Sequence, residues 1–373
     1  MKYRCEIRKD ERGRAIPSLV KKGEVVSKLA VWQMPMRIGG AKTLMGGIGG
    51  VWTHEKHRNR GYASIVMEDA CAWMRENDYD FSVLFGIPDF YHRWGFITTL
   101  SSGRVILETR TAEKAEPTCR VRAYHAADLP RAIRMYNDNN RSRTASIVRD
   151  ETWTPWRKGL RWGVPPKLFS YTRAGKLAAV AAFDLAPDSV NCVDLSVADA
   201  GAFAGVVRHA AELAVERRVE KITFFRPPDG PFADFCRELG GCEITGTTPR
   251  CAGGMARIIN QAQLFQKIAP ELTRRLRASR LTVWSLSLDI LTDLGATRLV
   301  VTTGRVAVGE RTARRAKVTL RLPQDRLTQL LFGFQSIDFL LAHGFAKLSG
   351  NGRDVLNALF PRGTPYMAVP DHF

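Results

Sequence analysis

Residues 24–53 are rich in apolar β-formers and punctuated by glycine, the pattern of consecutive strands joined by turns. Val25 to Gln33 is rich in β-formers, and Met34 to Arg37 continues it. Ile38-Gly39-Gly40-Ala41 turns the chain, and Lys42 to Thr53 returns with glycine pairs at 46–47 and 49–50. The period then changes. Between Tyr62 and Glu76, the residues Ile65, Val66, Ala70, Trp73 and Met74 recur at helical spacing, opposite a polar face of Glu68, Asp69, Arg75 and Glu76. Asn77-Asp78 ends this expected helix, and Phe81 to Phe85 predicts a short buried strand. Ile87-Pro88 breaks that strand, and Asp89 to Phe96 predicts another helical turn.

Residues 109–117 are polar and end in Pro117, which predicts a linker. A second α/β unit is expected from Cys119, with a helix near Asp128–Asn139, a strand at Lys176–Leu185, a helix at Gly201–Arg217 and a strand at Lys221–Phe225. A third unit is expected from about Met255–Asn260. It would hold a helix at Gln261–Arg277, strands to Leu322, a helix at Asp325–Phe332 and the segment Phe339–Phe345 before the tail. The expected domains are 1–115, 116–254 and 255–373. At about 100–200 residues per domain, a chain of 373 residues fits two or three.

Composition narrows the class. Hydrophobic residues at 45% and charged residues at 25% are ordinary for a globular protein, so disorder is not expected for most of the chain. The apolar runs, such as Leu177 to Phe183, are too short to cross a bilayer. The charged start Met1–Arg14 has no signal-peptide core. Seven cysteines are scattered without a C-x-x-C pair, which argues against a disulfide framework or a zinc site and for the reduced cytoplasm. No metal is expected. Cys71, inside the apolar helix, reads as a core residue.

The net charge of +19 is less ordinary, because such a field attracts polyanions: nucleic acid, anionic membrane or a phosphate-rich cofactor. Residues 1–100 hold 16 basic and 11 acidic residues, so most of the excess lies downstream. Arg305, Arg311, Arg314, Arg315, Lys317 and Arg321 alternate with apolar residues and read as a solvated strand face. No nucleic-acid-binding motif accompanies them.

One segment carries chemistry. In Gly49-Gly-Val-Trp-Thr-His-Glu-Lys-His-Arg-Asn-Arg-Gly-Tyr-Ala63 a strand ends near Thr53, a polar connection carries Arg58, Arg60 and Gly61, and a helix begins at once. The first N–H groups of a helix lack internal partners and the macrodipole puts partial positive charge there, so the turn is an anion cradle. His54, His57 and His92 lie near it, but their spacings match no metal signature, and they read as polar surface groups. Trp153, Trp156 and Trp162 read as a packed aromatic loop.

Val51-x-Thr53, the R-x-x-G-x-A turn of Arg58 to Ala63, the amphipathic helix, the buried strand and Phe90-Tyr91-His92-Arg93-Trp94-Gly95-Phe96 together resemble the GNAT acetyltransferase superfamily. The order of three units and the tail Leu359–Phe373, L-F-P-R-G-x-P-Y-M-x-x-x-D-x-F, are similar to the enhanced-intracellular-survival (Eis-like) branch over nearly the whole chain. The resemblance implies an α/β (α+β) fold: a catalytic GNAT domain, a second GNAT-like domain without the cofactor turn, both with mixed central sheets, and a sterol-carrier-protein-like C-terminal α+β domain. It implies an N-acetyltransferase using acetyl-CoA as cosubstrate. Arg58, Asn59, Arg60, Gly61, Tyr62 and Ala63 would hold the pyrophosphate, and Val51, Trp52 and Thr53 the pantetheine arm. Tyr91 would be the general acid. The α-carboxylate of Phe373, the last residue here, would be the general base.

The acceptor implied is a primary amine: a small amine, polyamine, aminoglycoside or lysine side chain. Asp89, Glu55 and Asp371 are the acids near these segments, yet a chain of +19 does not favour a polycation. A homo-oligomer of the hexameric kind is implied as well. Family members carry a strand and one or two helices before the strand that starts here near Val25. With about 24 residues in that place, either the true start lies upstream or the acceptor side is more open. The alternatives are a lipid carrier acting through the C-terminal unit, a nucleic-acid binder, and a CoA-binding protein without transfer.

Overall fold

A computed structural model describes residues 5–153, 160, 164–283, 285–310 and 316–373. Strands and helices interleave along the chain, and the strands form three sheets. Each sheet contains one parallel pair among antiparallel ones, so all three are mixed.

The chain divides into two compact units: residues 1–100, 249–365 and 373 form the first, and 101–248 with 366–372 form the second. The units meet near residues 100 and 249, and the first holds two of the three sheets. Gly253–Ile258 pairs antiparallel with Phe81–Gly86 over six residues, because its apolar positions complete the first sheet rather than starting a new one.

In the first unit the leading sheet contains β1 (Glu6–Lys9), β2 (Ala15–Lys21), β3 (Glu24–Ile38), β4 (Ala41–Thr53) and β5 (Phe81–Gly86) in that order. Gly253–Ile258 and β6 (Ile97–Thr98) follow. The residues before β3 thus form two antiparallel strands. Helix α1 (Tyr62–Glu76) spans the range its periodicity predicts and buries Val66, Met67, Ala70, Cys71 and Met74. These pack against Leu29, Val31, Ile48 and Leu84 of the sheet. Gly46 faces this helix, and a Cβ there would strike the Met74 sulfur.

The helix Gln261–Ser279 packs on β4 and on Arg305–Gly309. Its Glu271 accepts from Arg274 and Arg275 at 2.7 Å each while only 3% exposed. The five-stranded sheet of this unit runs Arg305–Gly309, Gly295–Thr302, Ser285–Thr292, Val318–Arg321, Lys347–Ser349. Of the arginine-rich stretch, Arg311, Arg314 and Arg315 lie outside the described residues.

The second unit is built on the sheet Cys242–Thr247, Ser102–Glu108, Lys221–Phe224, Ser189–Val197, Lys176–Ala186, Lys167–Arg173, Arg120–Ala123. The linker expected at 109–117 is instead part of this core. Thr109–Ala112 is a helical turn, Thr109, Thr111, Ala112 and Ala115 are buried, and the Thr109 hydroxyl donates to the Val219 carbonyl at 2.6 Å. Small side chains and one satisfied hydroxyl let a polar-looking segment pack.

The tail segment Tyr366–His372 belongs to this unit, anchored by Asp371. Arg149 donates to Asp371 from Nε at 2.9 Å and Nη2 at 3.1 Å, and to Asp194 at 2.7 Å. The Tyr136 hydroxyl and the Trp153 indole N–H also donate to Asp371, at 2.8 and 2.9 Å. Asp371 is 1% exposed and held by Arg149, so it is an anchor rather than part of an acidic surface patch. Trp153 packs on the Arg149 guanidinium, and Trp156 and Trp162 lie outside the described residues. Among the described residues no helix is long and apolar enough to cross a membrane.

Candidate active site

Two neighbouring strands of the first unit part company at the site. Strand β4 pairs in parallel with β5 from Met45↔Phe81 to Ile48↔Leu84. Beyond that register β4 continues to Thr53 and β5 to Gly86. On its other edge β4 remains paired with β3, through Lys28↔Trp52 and Ser27↔Thr53. The edge of Val51–Thr53 that leaves β5 therefore has no strand partner among the described residues. Backbone amides there need partners, and an extended ligand can supply them.

The chain then closes into the cradle. Asn59 has φ +60° and Gly61 φ +77°, a left-handed pair that bends the connection into the start of α1. No side chain caps that helix at Gly61. Its first N–H groups face outward, as an anion site requires. A Cβ on Gly61 would meet nothing within 4 Å, so it is the backbone angle and not space that asks for glycine.

A pocket of about 420 Å³ connects these parts. Val51, Trp52, Thr53, Arg58, Asn59, Gly61, Tyr62 and Ala63 line it, and so does Tyr91. Arg60 does not, although its charge acts on two residues that do, His57 and Tyr62. Lys21 donates to the Tyr62 hydroxyl at 3.1 Å, and this bond, with Arg60 adding, holds the phenol below its usual range. Burial lowers the pKa of His57, reinforced by Arg60, His54 and Lys21, and its Nδ1 has no partner. His57, Ile87 and Trp94 are lining residues the sequence reading did not select; His57 had been set aside for lack of a metal spacing.

Tyr91 sits on a short helical turn, Tyr91–Trp94, edge-on to Phe90 at 4.9 Å between ring centroids. Its ring lies against Gly86 at the end of β5, where a Cβ would come within 2.7 Å of Cδ2. Burial pushes the phenol above its ordinary value of 10.0. It therefore keeps its proton at neutral pH and can donate it. Cys71 is buried and its thiol is likewise pushed up by burial, which leaves no thiolate for a covalent route.

Phe373 is not in that lining but stands on β4 beside it. A Cβ on Gly47 would lie 2.7 Å from the Phe373 ring, and one on Gly49 would lie 3.3 Å from its carboxyl carbon. By the pleat, Gly47 and Gly49 share the sheet face opposite α1. Trp32, cross-strand from Gly47, and Phe85 of β5 are on that face too. Their rings stand 6.0 and 5.8 Å from that of Phe373. The glycine run of β4 is thus a space-making device: on one face it admits the chain terminus, and on the other, at Gly46, the methionine of α1.

The acids of the cofactor segments are exposed and near arginines: Glu55 lies 3.9 Å from Arg58, and Asp89 3.7 Å from Arg250.

Comparison with known proteins agrees with this architecture. Residues 11–98 match the model of an acetyltransferase (GNAT) domain. A probable N-acyltransferase from Enterococcus faecalis superposes with a TM-score of 0.77 at 16% identity, over 96% of this chain and 89% of that one. A GCN5-related N-acetyltransferase from Anabaena variabilis gives 0.74 at 18% identity, over 96% and 89%. Eis1 from Mycobacterium abscessus gives 0.68 at 16% identity, over 97% and 91%. At these identities the likeness is one of fold. No curated protein matches the sequence.

Proposed function

We propose that the chain is an acetyl-CoA-dependent N-acetyltransferase that moves the acetyl group directly from the thioester to a primary amine in a ternary complex. The observation that carries this reading is the convergence, in one pocket, of the unpaired β4 edge, the Arg58–Ala63 turn and the Tyr91 ring. Bound acetyl-CoA would put its pyrophosphate on the turn, with Arg58 supplying charge, and its pantetheine arm along Val51–Thr53. The amine nitrogen attacks the thioester carbonyl, the C–S bond breaks, and the Tyr91 hydroxyl protonates the departing thiolate. The α-carboxylate of Phe373, ionised at neutral pH, accepts the proton lost by the amine. We also read the part of residues 255–373 that lies in the first unit beyond the strand Gly253–Ile258 as sterol-carrier-like and the protein as an oligomer, which lipid-binding and sedimentation measurements would check.

The test is CoA release in the presence of acetyl-CoA and an amine panel, alongside the melting temperature with acetyl-CoA. Turnover is expected to fall about 100-fold or more on deletion of Phe373, the scale of a lost general base. Full turnover after that deletion would remove Phe373 from the mechanism. No thermal shift with acetyl-CoA and no turnover would sink the transferase reading.

A further inference from the structure

The surroundings of the Phe373 carboxylate speak to the acceptor. Gly49 leaves room for two groups at once: a Cβ there would be 3.0 Å from Cζ3 of Trp32 and 3.3 Å from the Phe373 carboxyl carbon. The carboxylate and the indole edge are therefore neighbours. Trp32, Phe85 and Phe373 are each half-buried, so their rings form an aromatic wall still reachable from solvent.

The charged groups placed at this wall are already paired with each other. The Arg14 guanidinium lies 4.6 Å from the centre of the Trp32 ring. The acid that accompanies it, Asp10, is already bound by Arg14 through Nε at 2.6 Å. Lys28 stands 5.8 Å from the Trp52 ring on the same sheet. The Phe373 carboxylate thus faces an apolar surface beside a closed Arg14–Asp10 pair.

Resting on the transferase reading above, we infer that the acceptor is a monoamine with an aromatic or apolar body, its ammonium on the Phe373 carboxylate and its body against Trp32 and Phe85. A single carboxylate neutralises a single ammonium. The second and third charges of a polyamine or aminoglycoside would meet an aromatic surface and the Arg14–Asp10 pair, whose acid is already taken, whereas an aryl ring gains contact area and ring–ring attraction there. The carboxylate takes the ammonium proton and passes it to solvent, which leaves the neutral amine beside the thioester and the carboxylate ready for the proton released on attack.

The experiment measures kcat/KM with acetyl-CoA for 2-phenylethylamine, tryptamine, n-butylamine, spermidine, kanamycin and a lysine peptide. The wild type is compared with Trp32→Ala and Phe85→Leu, and the thermal shift with acetyl-CoA is recorded for each. The expected result is at least a tenfold preference for the aryl amines over spermidine and kanamycin. Both variants should reduce that preference by raising KM for the aryl amines more than for n-butylamine, with the acetyl-CoA shift retained. A preference for spermidine, kanamycin or the peptide overturns the inference and leaves the transferase reading standing. So does a retained thermal shift with no turnover of any amine, or variants that slow all amines alike. Absence of the thermal shift in the wild type fails the transferase reading itself.

Discussion

Gly61 holds φ +77° with open space around its α-carbon. Gly61→Ala should therefore cost about 1–2 kcal/mol of backbone strain without a clash, lowering the melting temperature and raising KM for acetyl-CoA. Arg58 is 60% exposed at its side chain, so Arg58→Ala should leave folding unchanged and raise KM for acetyl-CoA about tenfold, the loss of one charge-assisted contact. Tyr91 yields a pH prediction. Its pKa lies above 10.0, so the protonated acid persists to higher pH than for an exposed tyrosine. The alkaline fall of kcat should begin above pH 10 in the wild type, and Tyr91→Phe should be slow at every pH. A fall centred below pH 9 would assign the acid to another group. These residues were legible because the cradle is local: arginine, glycine and helix start follow each other within six positions. Trp32 and Phe85 were not, since they reach Phe373 only through the pleat and the β3–β4–β5 register, which a linear pattern does not display.

At the scale of elements, periodicity marked α1 to its ends and the β3–β4 hairpin to within a residue or two, because each buries one face and keeps one register. Where a strand leaves its sequence neighbours, the pattern was silent. Ser102–Glu108 enters the second sheet and Gly253–Ile258 the first, and nothing in their composition announces which sheet they join. The tail signature D-x-F was readable as a motif, but half of its meaning was hidden. Asp371 is a buried anchor, and its partner Arg149 is 222 positions away. Arg149→Met should strand two buried carboxylates, Asp194 and Asp371, and destabilise the second unit by about 3–5 kcal/mol. Denaturant melts should display the loss; a change below about 1 kcal/mol would mean the carboxylates find other partners.

For the whole molecule, the net charge of +19 suits a polyanionic donor more than a polycationic acceptor. KM for acetyl-CoA should rise several-fold between about 0.05 and 0.5 M salt as the cradle is screened, while KM for a monoamine moves less. A salt-independent KM for acetyl-CoA would put the binding energy in the pantetheine arm instead. The architecture is shared with the solved structures over 96–97% of the chain, while the GNAT domain model matches residues 11–98. Sequence identity has drifted to 16–18% because a sheet asks only for alternation and a cradle only for a few residues.

A proton acceptor that is the last atom group of the polypeptide cannot be encoded by any codon's side chain. It depends on Phe373 carrying a free carboxylate. Under the mechanism proposed here, an affinity tag or fusion partner joined to the C-terminus would turn the base into an amide and silence the enzyme while leaving every side chain in place. Carboxypeptidase trimming or stop-codon read-through would act the same way. Recombinant material should carry its tag at the other end.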